Sequence, residues 1–232
     1  FFLIYFLNSF SVDKLTLVEK IGRVYSMGLL GSHAINVGHE LGHRFSKFDQ
    51  FLSKLLLLTS LNTHFFIEHN RGHHKKVGTL EDPATARKNE SVYRFVLRSM
   101  IGGYISAWKL EVDRLRAKNL VNFYSIYSFE NQMVRFTLLQ SALIFIIYSV
   151  FGLSTMLIFL LVSFIGILHL ELINYVEHYG LLRKKLEDGK YEKINKMHSW
   201  NANYTLSRLM LFELTRHSDH HLKASRKYQI LN

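Results

Sequence analysis

The chain has 232 residues, of which 48% are hydrophobic and 14% aromatic, and its formal net charge is +11. It contains no cysteine, which excludes disulfides, iron–sulfur clusters and thiolate metal sites within the chain, so any bound metal must have nitrogen or oxygen ligands. The basic residues flank apolar segments and no nucleic-acid motif is visible, which disfavours nucleic acid as a partner.

The N-terminal segments predict membrane helices. Phe1–Phe10 is apolar and begins without Met, so we interpret it as the end of a span in a fragment that lacks its N-terminal spans. Ser11–Arg23 is polar enough for a loop or an interfacial stretch on the outer side. Val24–Val37 is apolar and rich in small residues, which permit close helix packing in a membrane. It runs without a breaker into His39-Glu40-Leu41-Gly42-His43, so we expect this pair at the cytoplasmic end of a long helix.

Phe51–Ile67 is short for a span and more typical of a buried or re-entrant helix. It leads into Glu68-His69-Asn70-Arg71-Gly72-His73-His74. On an α-helix, His69 and His73 would stand one turn apart on one face, and His74 would approach the same point from the side. Glu81-Asp82-Pro83 then breaks the helix. Glu90–Lys118 mixes charged and apolar residues, which predicts a helix lying at the cytoplasmic interface.

Phe136–Leu170 contains thirty-five residues without one Asp, Glu, Lys or Arg. A single helix of this length would extend roughly 52 Å, whereas a hydrocarbon core is about 30 Å thick. Two spans joined near Gly152 fit better, approximately Gln132–Phe151 and Leu153–Asn174. We therefore predict an all-α, multi-pass transmembrane helical bundle.

The C-terminal part returns to histidine-rich sequence. Asn174–Gly180 places His178 at the cytoplasmic end of the last span. Leu181–Ser199 is predicted to be a charged loop with its turn at Asp188-Gly189. Asn201–Thr215 is predicted to be a helix leading to His217-Ser218-Asp219-His220-His221. No internal repeat or boundary is evident, so residues 1–232 are predicted to form a single membrane-embedded domain.

Basic residues lie beside the histidine clusters, while the turn near Gly152 carries no charge. The positive-inside rule accounts for this by placing the histidines on the cytoplasmic side of the inner (plasma) membrane. A second interpretation is a docking face for an acidic partner or for anionic lipid headgroups. The basic clusters are Arg71/Lys75/Lys76, Arg87/Lys88, Arg114/Arg116/Lys118, Arg183/Lys184/Lys185 and Arg226/Lys227.

Nine of the thirteen histidines belong to these clusters, too many for one metal ion and enough for two ions with four or five nitrogens each. They are His39, His43, His69, His73, His74, His178, His217, His220 and His221. Imidazole ligands alone do not choose among iron, zinc and copper. His39-Glu40-x-x-His43 also matches the zinc metalloprotease motif with Glu40 as general base, an interpretation that the other clusters disfavour.

Four acidic residues adjoin these histidines, namely Glu40, Glu68, Glu177 and Asp219. We expect them to accept hydrogen bonds from the imidazoles and so fix their tautomers, the alternative being an ordinary surface role. The remaining histidines receive structural interpretations. His33, His64 and His169 are expected to be hydrogen-bonded core residues. His198 is expected to be a loop residue, with support of the site or an access route as the alternative.

Three histidine boxes of the forms HExxH, EHxxGHH and HxxHH, in this order, resemble the membrane di-iron desaturase and hydroxylase superfamily. Glu81-Asp82-Pro83-Ala84 after the middle box and a separate Asn-Tyr-Val-Glu-His-Tyr-Gly before the last box resemble its alkane 1-monooxygenase (AlkB-type) branch, whose relatives include xylene monooxygenase. The resemblance extends from about Val37 to Gln229. The tail after His221, Leu222-Lys223-Ala224-Ser225, departs from the Ala-x-Pro type of that branch and leaves the preferred chain length open.

This resemblance implies a six-span protein in which the nine histidines bind two irons, with no catalytic residue beyond these ligands. It also implies the reaction, in which O2 and two electrons insert one oxygen atom into a terminal C–H bond of a medium-chain alkane to give a primary alcohol. Rubredoxin, a small acidic iron protein, would supply the electrons.

Two alternatives stay open. One is a membrane di-iron desaturase or hydroxylase that acts on another lipid or on an aromatic methyl group. The other is a histidine-rich metal transporter, which would need polar residues along its spans. Phe136–Leu170 offers only Gln140, a few hydroxyls and His169 for that purpose.

Overall fold

The computed structural model describes residues 2–12, 14–118 and 123–231, and every regular element in these ranges is helical. The predicted all-α class is therefore confirmed. Residues His69–His73 form a π-helix, and 3₁₀ turns occupy Lys196–His198 and Tyr228–Ile230. The α-helices are α1 Phe2–Val12, α2 Leu17–Gly42, α3 Lys47–Thr59, α4 Phe65–Glu68, α5 His74–Lys76, α6 Val92–Ala117, α7 Phe123–Ile126, α8 Gln132–His178, α9 Thr205–Met210 and α10 His217–Leu222.

Helix α2 begins earlier than the sequence predicts. The Thr16 hydroxyl accepts a hydrogen bond from the Glu19 amide, and the Glu19 carboxylate accepts one from the Thr16 amide at 2.8 Å. This reciprocal capping box satisfies two amides that would otherwise lack a partner at the helix start. Of the two interpretations of Ser11–Arg23, the loop is therefore wrong for residues 11–12, which end α1, and from Leu17 onward, while the interfacial stretch stays a prediction. The rest of α2 runs continuously into its histidine pair, as predicted.

Helices α2 and α8 pack at close range through glycines. A Cβ atom on Gly28 would overlap the Ile165 side chain, and a Cβ on Gly166 would lie 3.3 Å from the Gly28 carbonyl oxygen. Both backbones thus meet where no side chain intervenes, as the small residues of Val24–Val37 predicted. This contact fixes the ends of the two helices, which carry His39 and His178.

Gly28→Ala is expected to lower the free energy of unfolding by about 1–3 kcal/mol, because the added methyl group must displace Ile165 from a packed position. Thermal unfolding in detergent, followed by circular dichroism, measures the change. Gly22→Ala is the matched control in the same helix, because its Cβ would meet no atom within 4 Å. Alanine has the higher helix propensity, so this control should unfold at the same or a higher temperature. Equal losses in both variants would contradict close packing at Gly28.

Helix α8 consists of two helices that meet at Gly152, where the backbone leaves the helical region with φ 80° and ψ 172°. Only glycine adopts this conformation readily, and the predicted break between two helices near this residue is confirmed, while their being two membrane spans stays a prediction. Within the described ranges, α8 is also the one helix that is long and apolar enough to cross a membrane. Large side chains such as Phe145 and Val150 project outward from it, with exposed fractions of 67% and 65%.

Two predicted helices are shorter than expected. The helix predicted over Phe51–Ile67 ends at Thr59, because Leu61 takes a left-handed conformation with φ 51° and turns the chain into α4. The helix predicted over Asn201–Thr215 spans only Thr205–Met210. There the chain turns at Phe212 and Glu213, whose φ values are 51° and 57°. The Glu213 carboxylate binds the Arg208 and Arg216 guanidinium groups across this turn, at 2.8 and 3.2 Å.

The helix predicted within Glu90–Lys118 and the turn predicted at Asp188-Gly189 are confirmed, while the placement of that helix at the membrane interface stays a prediction. Helix α6 begins after Ser91, whose hydroxyl accepts from the Arg94 amide, and its buried Ala107 packs against Ile67 and Met133. The turn in the charged loop lies at Gly189, which has φ 80°.

Candidate metal centre

The nine predicted histidines converge at one end of the helix bundle and form two groups. Within each group, one ring nitrogen from every member lies within 4.8 Å of the others. The histidines lie on α2 and its C-terminal cap, on the π-helix, and on α5, α8 and α10. The five-histidine group contains His39, His43, His69, His74 and His220, and the four-histidine group contains His73, His178, His217 and His221.

In the five-histidine group the Nε2 atoms approach one another at nearly equal distances. The Nε2 atom of His39 lies 3.1 Å from those of His43 and His220, and the Nε2 atom of His74 lies 3.1 Å from that of His220 and 3.0 Å from that of His69. Two nitrogens bound about 2.1 Å from one ion at a right angle lie roughly 3.0 Å apart. The spacing therefore fits five imidazoles around a single ion.

The four-histidine group has the same spacing. The Nε2 atom of His217 lies 3.0 Å from that of His178 and 2.8 Å from that of His221. The fourth ring, His73, has its centroid 4.8 Å from that of His178 and 4.9 Å from that of His221. Its Nε2 atom is buried without a hydrogen-bond partner among the described residues. A buried imidazole nitrogen without a partner is costly unless it binds an ion, so this group also fits a metal.

The middle histidine box is divided between the groups. Residues 69–73 form a π-helix, which has more residues per turn than an α-helix, so His69 meets His74 five positions later. His73 points instead to the four-histidine group. The expectation that His69 and His73 share a point is therefore wrong. The same i, i+4 expectation holds for the pairs His39/His43 and His217/His221.

The environment of these rings favours neutral imidazoles. Burial lowers the pKa values of His69 and His74 well below the usual 6.5, and the neighbouring imidazoles lower them further. Metal binding requires the neutral form, so no proton has to be displaced from these rings at neutral pH.

His73 differs because a carboxylate holds it. Its Nδ1–H donates to Asp82 at 2.9 Å, and Asp82 also accepts from the Thr85 hydroxyl at 2.6 Å and from the Ala84 amide at 3.1 Å. Burial alone would lower the pKa of His73, but the Asp82 carboxylate outweighs it and the pKa is raised. With hydrogen held at Nδ1, the ring presents Nε2 to the other histidines.

Sequence reasoning did not identify Asp82 as a partner of this site and treated it only as part of a helix break. The available signal was an acidic residue directly before the only proline, inside the segment that carries the family resemblance.

The four acidic residues expected to support the imidazoles occupy different surroundings. Glu40 pairs with Arg44 and accepts from the Tyr228 amide at 3.1 Å. Asp219 binds the Arg226 guanidinium through both oxygens at 2.6 Å. These contacts tie the C-terminal tail to α2 and α10.

Glu68 and Glu177 are buried beside the histidines. Glu68 accepts from the Ser106 hydroxyl at 3.4 Å, and burial, reinforced by Asp82, raises its pKa to about 8. An oxygen of Glu177 lies 3.4 Å from Nε2 of His217, and neither of its oxygens has a hydrogen-bond partner among the described residues.

The remaining histidines lie outside both groups. His33 and His169 each use Nδ1 to bind a carbonyl oxygen four residues earlier in their own helix, at 2.8 Å. The His64 ring meets Tyr104 edge-on at 5.3 Å. His198 is buried in its loop, where Nδ1 accepts from the Asn195 amide and Nε2 lies 3.3 Å from Glu192.

In its described residues the protein is helical, and nine imidazoles converge, seven of them buried, which defines the class of helical proteins with a histidine-rich site suited to metal. A sequence model of the fatty acid desaturase family matches residues 21–232. The chain therefore belongs to the fatty acid desaturase family.

Within this family, the chain is similar to alkane 1-monooxygenases. The chain is 44% identical to the alkane 1-monooxygenase of Ectopseudomonas oleovorans over 89% of its length and 50% of that protein. It is 42% identical to the alkane 1-monooxygenase of Pseudomonas putida over 92% of its length and 52% of that protein. It is 27% identical to the xylene/toluene monooxygenase hydroxylase component XylM of Pseudomonas putida, over 88% of its own length and 53% of that protein. The predicted resemblance is confirmed, and the chain spans about half the length of the curated relatives it matches.

Proposed function

We propose that this chain forms the di-iron domain of an integral-membrane monooxygenase. The reaction inserts one atom of O2 into the terminal C–H bond of a medium-chain alkane and gives a primary alcohol. The observation that carries the proposal is the convergence of nine imidazoles into two ion-sized groups, in a chain 44% identical to an alkane 1-monooxygenase.

The five-histidine group would hold one iron and the four-histidine group the other. The chemistry that a bound iron pair supplies is the activation of O2 with two electrons. The chain contributes neutral ligands in fixed positions and a site shielded from water, because His73, His178 and His220 are at most 1% exposed. Oxidation of an unactivated C–H bond requires this shielding, because water would otherwise react with the oxidising species.

The substrate would reach this site through an apolar cavity of about 370 Å³ between α2, α8 and the segment around α9. Leu29, Leu172 and Leu211 line it, and its wall includes Glu177, directly before His178. An alkane offers only apolar contacts, which these walls match.

The proposed orientation places the Gly152 turn on the outer side of the inner (plasma) membrane and the histidines on the cytoplasmic side. The exposed apolar surface of α8 supports contact with lipid, and His178 at its C-terminal end supports a metal centre at the inner interface. The basic residues near that end agree with the positive-inside rule.

The test of function uses the complete protein in lipid nanodiscs, supplied with O2 and a rubredoxin reducing system. Metal analysis should find two irons per chain, and octane should give 1-octanol. A product panel with acyl lipids and xylene separates the alkane hydroxylase from a desaturase and from an aromatic methyl hydroxylase. Zinc in place of iron, with no oxygenated product from any substrate, would refute the proposal and favour a metal transporter.

Electron delivery yields a separate prediction. Lys184 and Lys185 are exposed beside the site, whereas the neighbouring Arg183 binds the carbonyl oxygens of Lys75 and Glu192 and so serves the fold. Lys184→Glu/Lys185→Glu is expected to raise the apparent KM for rubredoxin roughly tenfold at low salt, because complementary charge accelerates encounter. Steady-state turnover against rubredoxin concentration measures it.

The matched control is Lys14→Glu/Lys20→Glu, which changes the same charge at the opposite end of α2 from His39. Its KM for rubredoxin should stay unchanged. If the KM of the Lys184/Lys185 variant equals that of the unmodified protein, this surface does not dock the electron donor.

A further inference from the structure

A second cavity, of about 360 Å³, lies between α4, α6 and α8, on the side of the site where His69 stands. Its outer part is apolar and open, since Ile101 and Ile105 at its rim are 61% and 46% exposed. Its inner part is polar and buried, and it is formed by Glu68, His69, Ser99, Glu171 and Asn174. A volume of this size lies within the range of roughly 300–1,000 Å³ typical of small-molecule sites.

The two carboxyl groups at the inner end have few hydrogen bonds. Glu68 accepts from the Ser106 hydroxyl at 3.4 Å, and Glu171 accepts from the Ser99 hydroxyl and, at 3.5 Å, from the Asn174 amide. A carboxyl group keeps acceptor positions whether or not it is protonated, so this pair can still accept a hydrogen bond from a ligand. Buried acceptors without a donor cost free energy, and a ligand that donates a hydrogen bond here removes that cost.

An alkane cannot supply this donor, whereas a primary alcohol can. Its hydroxyl group would donate to a carboxylate oxygen, and its oxygen would accept from the Asn174 amide. Its hydrocarbon chain would lie against the apolar walls formed by Phe65, Met100 and Ile167. The cavity that contains Leu29, Leu172 and Leu211 offers fewer hydrogen-bond acceptors, because Glu177 is the one carboxylate among its lining residues.

We propose that the cavity between α4, α6 and α8 binds the primary alcohol after oxidation and is the route by which the product leaves the metal centre. This inference rests on the proposed function. It assigns the two cavities opposite roles, with the apolar cavity beside Glu177 for the alkane and the cavity at Glu68 and Glu171 for the alcohol. Because His69 belongs to both the cavity wall and the five-histidine group, the product would enter directly from the site.

Gly103 provides the means to close the proposed product cavity. It lines the cavity, and a Cβ atom built on it would meet only Cγ of Glu68, at 3.9 Å, which is an ordinary contact. Gly103→Leu therefore fills the cavity without displacing backbone. Ala202→Leu is the matched variant, because it adds the same side chain to the wall of the other cavity.

The experiment uses the complete, iron-loaded protein in nanodiscs and two photoreactive probes. One is a diazirine-bearing 1-octanol, and the other is the same diazirine-bearing chain without the hydroxyl group. The alcohol probe should label residues 100–105, and unlabelled 1-octanol should displace it, whereas octane should not. Gly103→Leu should reduce this labelling roughly tenfold while Ala202→Leu preserves it. The hydrocarbon probe should label the cavity beside Glu177. Ala202→Leu should reduce this labelling, and Gly103→Leu should preserve it.

Iron content and octane turnover in the same wild-type preparation separate the two proposals. If the protein makes 1-octanol but the alcohol probe labels only the cavity beside Glu177, the product site is overturned and the function stands. If Gly103→Leu retains full iron and full alcohol labelling of residues 100–105, the assignment of this cavity is overturned. If no iron binds and no alcohol forms, both proposals fail.

Discussion

His178→Ala in the complete protein is expected to lose about one of its two irons and all measurable hydroxylation. The side chain is fully buried, and its Nε2 atom lies 3.0 Å from that of His217. Removal leaves three imidazoles in the four-histidine group, with a void in place of the fourth nitrogen. Because metal binding free energy depends on the number of preorganised ligands, this ion should be lost first. Metal analysis by mass spectrometry and product analysis with octane measure both effects.

His169→Ala is the matched control, because this histidine lies on the same helix, outside both groups, and its Nδ1 binds the Ile165 carbonyl oxygen. It should keep two irons. Mössbauer spectra of iron-57-loaded protein should show two iron environments in the control and one in His178→Ala. Full iron and full turnover in His178→Ala would remove this residue from the metal centre.

Asp82→Ala is expected to weaken binding of the ion in the four-histidine group by roughly 10- to 100-fold, the usual effect of losing the carboxylate that orients a ligating histidine. Without Asp82, His73 loses the acceptor that holds hydrogen at Nδ1, and Nε2 is no longer fixed towards the group. Asp82→Asn keeps an acceptor oxygen but removes the charge, so its loss of metal affinity should lie between those of the unmodified protein and Asp82→Ala. Competition with a chelator of known affinity measures each constant.

The adjacent acid supplies the control for this series. The Glu81 side chain is 63% exposed and lies 3.8 Å from the Lys76 ammonium group, so Glu81→Ala should retain the affinity of the unmodified protein. Comparable losses in the Glu81 and Asp82 variants would mean that the whole turn, and not the bond to His73, determines metal retention.

The sequence was sufficient to predict which histidines come together. Nine imidazoles at short, repeated spacings have no ordinary structural use, and the structure brings all of them to one end of the bundle. The helices were predictable for a similar reason, since apolar length and the glycine at position 152 determine where the chain can turn. Whether each histidine binds iron stays a prediction, and so do the roles of Glu40, Glu68, Glu177 and Asp219.

The division into groups could not be predicted, because it depends on the local pitch of the backbone. The His69 and His73 rings still lie 5.1 Å apart, but in the π-helix the Nε2 atom of His69 meets that of His74, and His73 joins the other group. The partner of His73 was hidden for another reason. Asp82 reaches it through a turn that folds back over nine residues, and no periodicity describes such a return. Similarly, left-handed residues such as Leu61 and Phe212 ended helices that their composition would have continued.

The five-histidine group joins parts of the chain that are synthesised far apart. His39 and His220 are separated by 181 positions, and their Nε2 atoms lie 3.1 Å apart. The tail fastens this junction, because the Tyr228 amide binds Glu40 and Arg44 binds the Ser225 carbonyl oxygen. Neither histidine group is complete until α10 has left the ribosome, so under the proposed function iron would be inserted after translation. A nascent chain that stalls before residue 217 would expose unmetallated histidines to any competing cation.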